Sequence, residues 1–184
     1  MSSSTVSVRT RALCAGALCV VLISVCSWIS IPAHVPFTLQ TFAVFTTLAL
    51  LGGRLGSLAV AAYLLLGAVG IPVFAGFKGG IGSLLGTTGG YLLGFLFTGL
   101  VYWLVTRAAG SSPAAQTAGL LLGLLICYAF GTAWFLVVYT RASGPIALST
   151  ALGWCVLPFL VPDLCKLALA LVLARRLRPY VQLS

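Results

Sequence analysis

Among 184 residues the chain has one carboxylate side chain, Asp163, and a lysine three positions later, Lys166, within the stretch PFLVPDLCK. On a helix, residues three apart share a face one turn from each other. The pair would then present a carboxylate acceptor beside an ammonium with three donors. Such a site suits a small ligand that carries both N–H groups and carbonyl or anionic oxygens. The alternative is that the two charges only neutralise each other and fix packing. An ionisable side chain inside a membrane helix costs about 2.5–3.5 kcal/mol on insertion scales, so it is normally paired, turned inward and functional.

The elements that must position this pair follow from composition. With 61% hydrophobic and 6% charged residues, the chain reads as an integral membrane protein. A bilayer core about 30 Å thick takes roughly 20 apolar residues per helix, leaving room for five or six spans and no separate soluble domain. The formal charge of +9 does not point to nucleic acid, because single arginines separate apolar runs instead of clustering on a polar face. The six cysteines all lie in apolar segments without metal-ligand spacing and read as small hydrophobes.

Glycine, proline and arginine divide the chain into expected spans at 12–31, 37–53, 56–70, 88–106, 119–140 and 147–174. The first is too long for the apolar core of a signal peptide. With the N-terminus inside, Arg9, Arg11, Arg54, Arg107, Arg175, Arg176 and Arg178 fall on the cytoplasmic side and Lys78 and Arg141 outside, which is the positive-inside pattern. The expectation is an all-α membrane protein of six transmembrane helices with both termini cytoplasmic. Its tails are 1–11 and 179–184, around a single membrane domain at 12–178.

On this topology VPFTLQT, VFAGFKGG and TTGGY converge at the outer side. Asp163 lies twelve residues before Arg175, or roughly 18 Å along a helix, and so in the outer half. Pro158 and Pro162 should break the helix there, placing Pro162 in the first turn of a new segment and Asp163 near its N-terminus. Gln40 and Tyr91 sit at outer helix starts and read as pocket lining. Lys78 is either a solvated loop charge or a lid contact. His34 reads as solvated or interfacial, and Tyr102, with Trp28, Trp103, Trp134, Tyr139 and Trp154, as an interfacial anchor. The glycines of FKGGIGSLLGTTGG lack nucleotide-binding spacing, so any transport would draw its energy from an ion gradient or from partner proteins.

The motifs VPFTLQT, GIPVFAGFKGG, TGGYLLGF and PFLVPDLCK, in this order and over about residues 31–175, resemble the BioY family, the biotin-specific substrate-binding S components of energy-coupling factor (ECF) transporters. The resemblance implies a six-helix S-component bundle in the cytoplasmic (inner) membrane. It would capture biotin from outside and work with a module of two ATP-binding subunits and one transmembrane coupling subunit. It places Asp163 and Lys166 at the biotin site, where a carboxylate and an ammonium complement the ureido N–H and carbonyl groups. Loop backbone at Gly79 and Gly80, Lys78 or Gln40 would take the valerate carboxylate. Phe74 and Tyr91 would pack on the apolar parts. The small residues Ala12 and Gly16 match the spacing at which this family docks its coupling subunit, or else serve ordinary helix packing.

Two departures affect the lid and leave the pair intact: Thr87 stands where many relatives have proline, and Phe77–Lys78 where the family is usually small or polar. A transporter or S component for another small metabolite would share fold and pocket. A structural subunit would bind nothing. An intramembrane enzyme, or any cofactor or metal chemistry, is disfavoured by one Asp, one His and no cluster of catalytic groups.

Overall fold

In a bilayer each backbone N–H and C=O must be paired within its own segment, so apolar runs of this length fold as helices. The computed structural model describes residues 3–181, with side chains from Arg9 on. The outer ends of the two expected tails, 1–2 and 182–184, lie outside the described residues. Helix α1 is Ser3–Trp28; a short antiparallel ribbon of β1 (Ser30–Ile31) and β2 (Phe37–Thr38) leads to α2 (Gln40–Ala68). Then follow α3 (Ile81–Leu85), α4 (Gly89–Ala109), α5 (Pro113–Ser143), α6 (Leu148–Cys155) and α7 (Leu157–Val181). Helical backbone thus runs on into both expected tails.

Among the described residues five stretches are long and apolar enough to cross a membrane, and Gln40–Ala68 is one of them. That stretch is not a single rod. Gly52 has φ 78° and ψ 170°, a left-handed backbone conformation natural to glycine. Beyond it the chain doubles back: a Cβ on Gly56 would stand 2.9 Å from Leu48 Cα, although eight residues of straight helix span about 12 Å. Gln40 Nε2 likewise reaches Tyr63 Oη at 3.0 Å. The two arms, 40–51 and 53–68, are the second and third expected spans, so the bundle has six helical passes. The first arm is short, about 18 Å long, and leaves room at its head for a cavity.

Helices α4 and α5 lie antiparallel along a seam of small residues. Gly94 faces Cys127, Gly123 faces Thr98 and Gly119 faces Tyr102, with a Cβ on Gly94 falling 2.7 Å from Cys127 Sγ. Small residues at four-residue spacing let membrane helices approach closely enough for van der Waals packing. Tyr102, expected at an interface, is 1% exposed in this seam, because Gly119 opens the space its ring fills.

The last pass departs from expectation at its prolines. The break lies at Val156 (φ −126°, ψ −56°), Pro158 is in the first turn of α7, and Pro162 is inside the helix. Asp163 therefore sits in the second turn. The N–H that Pro162 lacks would have met the Pro158 carbonyl in the helix's opening turn. Packing of one continuous face, Phe159, Asp163, Lys166, Leu167, Ala170, Leu171 and Ala174, outweighs that missing bond. At the far end Arg178 donates to the Ala49 carbonyl from Nε (3.1 Å) and Nη2 (2.9 Å). It thereby pairs a carbonyl that the end of the 40–51 arm leaves open.

Candidate functional site

A cavity of about 400 Å³ opens between the head of α2, the 74–88 segment, α4, α5, the end of α6 and α7. Asp163 and Lys166 line it at 2% and 6% exposure. They form the one ion pair among the described residues, Nζ to Oδ1 at 2.8 Å. Sequence spacing placed them on one face; α7 turns that face into the bundle.

The surrounding hydrogen bonds define what each group has left to offer. Lys166 Nζ donates to Asp163 Oδ1, to the Thr38 carbonyl at 2.8 Å and to Thr41 Oγ1 at 3.2 Å, and it lies 4.3 Å from the centre of the Phe37 ring. These three acceptors match its three protons. Thr41 in turn donates to Asp163 Oδ1 at 2.9 Å, and Tyr128 donates to Oδ2 at 2.7 Å. Oδ1 thus receives two donors and Oδ2 one, so the open acceptor capacity of the carboxylate lies on Oδ2. Lys166 fixes and neutralises the carboxylate.

Of the other residues singled out from sequence, Gln40, Phe74, Lys78 and Tyr91 all line the cavity. Gln40 Nε2 donates to Tyr63, whose hydroxyl donates to the Val73 carbonyl at 3.0 Å. That chain ties the head of α2 to the loop carrying Phe74. Phe74 packs edge-on to Tyr63, ring centres 5.5 Å apart, and rests on Gly67. Tyr91 shares a 2.9 Å hydrogen bond with Thr132 of α5. Lys78 is paired through its backbone with Phe74, and its ammonium has no hydrogen-bond or ion-pair partner among the described residues. Gly79 and Gly80 are not in the lining: a Cβ on Gly79 would meet the Ile71 carbonyl at 2.5 Å, and the Gly80 N–H goes to the Gly67 carbonyl at 2.7 Å. Ala12 and Gly16 lie away from the cavity, along a separate apolar groove between α1 and the 53–68 arm.

Three contributors were not named as site residues from sequence. Thr38 and Thr41 belong to the quoted VPFTLQT, but their contacts with α7 span more than a hundred positions. Tyr128 carried a usable signal, a phenol in mid-span that must find a partner once buried. His34 is exposed, as expected for a solvated residue. It also lines the cavity mouth, stacked on Trp154 at 4.2 Å between ring centres.

The model of the BioY family matches residues 1–183. The chain belongs to the BioY family. It is 45% identical over 158 residues to the biotin transporter BioY of Thermotoga maritima, covering 85% of this chain and 89% of that one. The probable biotin transporter BioY of Pyrococcus horikoshii is 40% identical over 163 residues, 88% and 93% of the two chains. Among solved structures, the crystal structure of the S-component for biotin from an ECF-type ABC transporter superposes with a TM-score of 0.83 at 29% identity. The match covers 97% of this chain and 95% of that one. The BioY assignment and the apolar helices together make this a multi-pass membrane protein with the S-component fold.

Proposed function

We propose that the protein captures biotin at the outer face of the cytoplasmic membrane and serves as the substrate-binding S component of an ECF-type transporter. The observation that carries this reading is the buried Asp163–Lys166 pair lining a cavity of about 400 Å³, with one carboxylate oxygen, Oδ2, taking a single donor; that volume is within the range typical of small-molecule sites. Membership of a family whose relatives are biotin transporters supports it.

In this reading Asp163 Oδ2 accepts a ureido N–H, and Lys166 holds Asp163 in place. Phe74 and Tyr91 pack on the thiolane ring and the valerate chain. The free ammonium of Lys78 takes the carboxylate, with Gln40 beside it. Gly79 and Gly80 act from behind by fixing the turn that presents Lys78.

The site has no role in catalysis; binding and release are its work. Transport energy comes from a partner module of two ATP-binding subunits and one transmembrane coupling subunit, which docks along Ala12 and Gly16 of α1. Both termini face the cytosol, with 1–11 and 179–184 as tails of the 12–178 membrane domain. Retention of labelled biotin by the purified protein, and its loss in Asp163→Asn, tests the reading.

A further inference from the structure

Counting protons at the ion pair leaves neither Lys166 nor Thr41 with a donor for the ligand's ring carbonyl. The ammonium of Lys166 is occupied by Asp163, Thr38 and Thr41, and the Thr41 proton by Asp163 Oδ1. Around the carboxylate the cavity floor is apolar or weakly polar: Leu124, Cys127, Cys155 and Phe159. One strong donor there is placed to change partners, the Tyr128 hydroxyl, which lines the cavity and now donates to Asp163 Oδ2 at 2.7 Å.

We infer that Tyr128 is a specificity-determining residue that reads the carbonyl of a cyclic urea while Asp163 reads the N–H next to it. The inference rests on the biotin reading above. A five-membered urea ring holds N–H and C=O side by side on one edge, donor beside acceptor. Asp163 Oδ2 and Tyr128 Oη are side by side in the complementary sense, acceptor beside donor. When the ligand N–H arrives at Oδ2, the phenolic O–H turns from the carboxylate to the carbonyl, either oxygen being a suitable acceptor for it. Oδ2 exchanges one donor for another, and Tyr128 gains an acceptor that only the correct ring supplies. A pocket built to hydrogen-bond a ligand group discriminates sharply against analogues that lack it, because its polar atoms are left unpaired.

The test compares biotin with 2-iminobiotin at neutral pH, where its cyclic guanidine is protonated, so that a donor C=NH2+ replaces the C=O acceptor and the ring N–H groups remain, on detergent-purified wild type and Tyr128→Phe. The expected result is that Tyr128→Phe lowers the preference for biotin over 2-iminobiotin about tenfold, the size of one good hydrogen bond. If both ligands lose affinity equally, Tyr128 only holds Asp163 and the inference is overturned; unchanged affinity for both overturns it too. Should the phenylalanine variant not fold, 3-fluorotyrosine at position 128 supplies a stronger donor in the same shape, and the preference for biotin must rise. No rise is equally contrary. A wild type that retains neither ligand contradicts the biotin reading itself, independently of any substitution.

Discussion

Lys166 Nζ and Asp163 Oδ1 are 2.8 Å apart, in a buried pair whose ammonium already has a protein acceptor for each of its protons. Removing one partner of such a pair leaves an uncompensated buried charge, at a cost of about 3–5 kcal/mol, whereas replacing both by apolar residues is often neutral. Lys166→Met should therefore lower the thermal unfolding midpoint in detergent markedly. The double variant Asp163→Leu/Lys166→Met should recover most of that loss and still bind no biotin. A double variant as unstable as the single would show that the pair does more than balance its charges.

Thr41 is the residue that joins both members of the pair, donating to Asp163 at 2.9 Å and accepting from Lys166 at 3.2 Å. Thr41→Val keeps the shape and removes both bonds, which should cost about 1–3 kcal/mol in stability and weaken biotin binding in titration calorimetry. Thr41→Ser restores the hydroxyl and should restore both quantities. Failure of serine to rescue would assign the effect to packing of the methyl group.

The helices and the inward turn of the charged pair in PFLVPDLCK were legible in the sequence because hydrophobic run length and an isolated intramembrane charge are local signals. The hairpin in α2 was legible too, since GGR marks a place where glycine can reverse the chain and Gly52 does so. The exact helix start before Asp163 was not. Proline rules are local, and they place a break at Pro162, but packing of the inward face of α7 carries the helix through it. The partners of Asp163 were hidden for a different reason. Tyr128 is 35 positions away and Thr41 is 122, and no periodicity within one helix reports a contact between helices. Lys166 read from sequence as both the neutralising neighbour of Asp163 and a second ligand contact; its acceptors at Thr38 and Thr41, like the partners of Asp163, lie on other elements and leave no local signal.

Gly52 and Gly56 should respond differently to a methyl group. Nothing lies within 4 Å of a Cβ on Gly52, so Gly52→Ala meets only its backbone strain at φ 78° and ψ 170°, of about 1–3 kcal/mol, and should leave biotin affinity near wild type. Gly56→Ala places its Cβ 2.9 Å from Leu48 Cα, pushing the two arms apart. It should reduce both the unfolding midpoint and biotin affinity, because Gln40 and Thr41 ride on the displaced arm.

Lys78 is exposed at the cavity edge, so its attraction for a ligand carboxylate is partly screened. Lys78→Met should weaken biotin binding only about fivefold, in keeping with the roughly 1 kcal/mol of exposed ion pairs, and should leave binding of biotin methyl ester unchanged. Equal loss for acid and ester would remove Lys78 from the carboxylate contact.

The central claim is that Asp163, aimed by Lys166 and Thr41, is the acceptor for biotin. Equilibrium binding of labelled biotin to detergent-purified wild type and Asp163→Asn measures it most directly. The account predicts saturable binding by wild type, a loss of more than tenfold in Asp163→Asn, and competition by unlabelled biotin. Equal affinity in the two proteins, or wild type that retains no biotin, would contradict it.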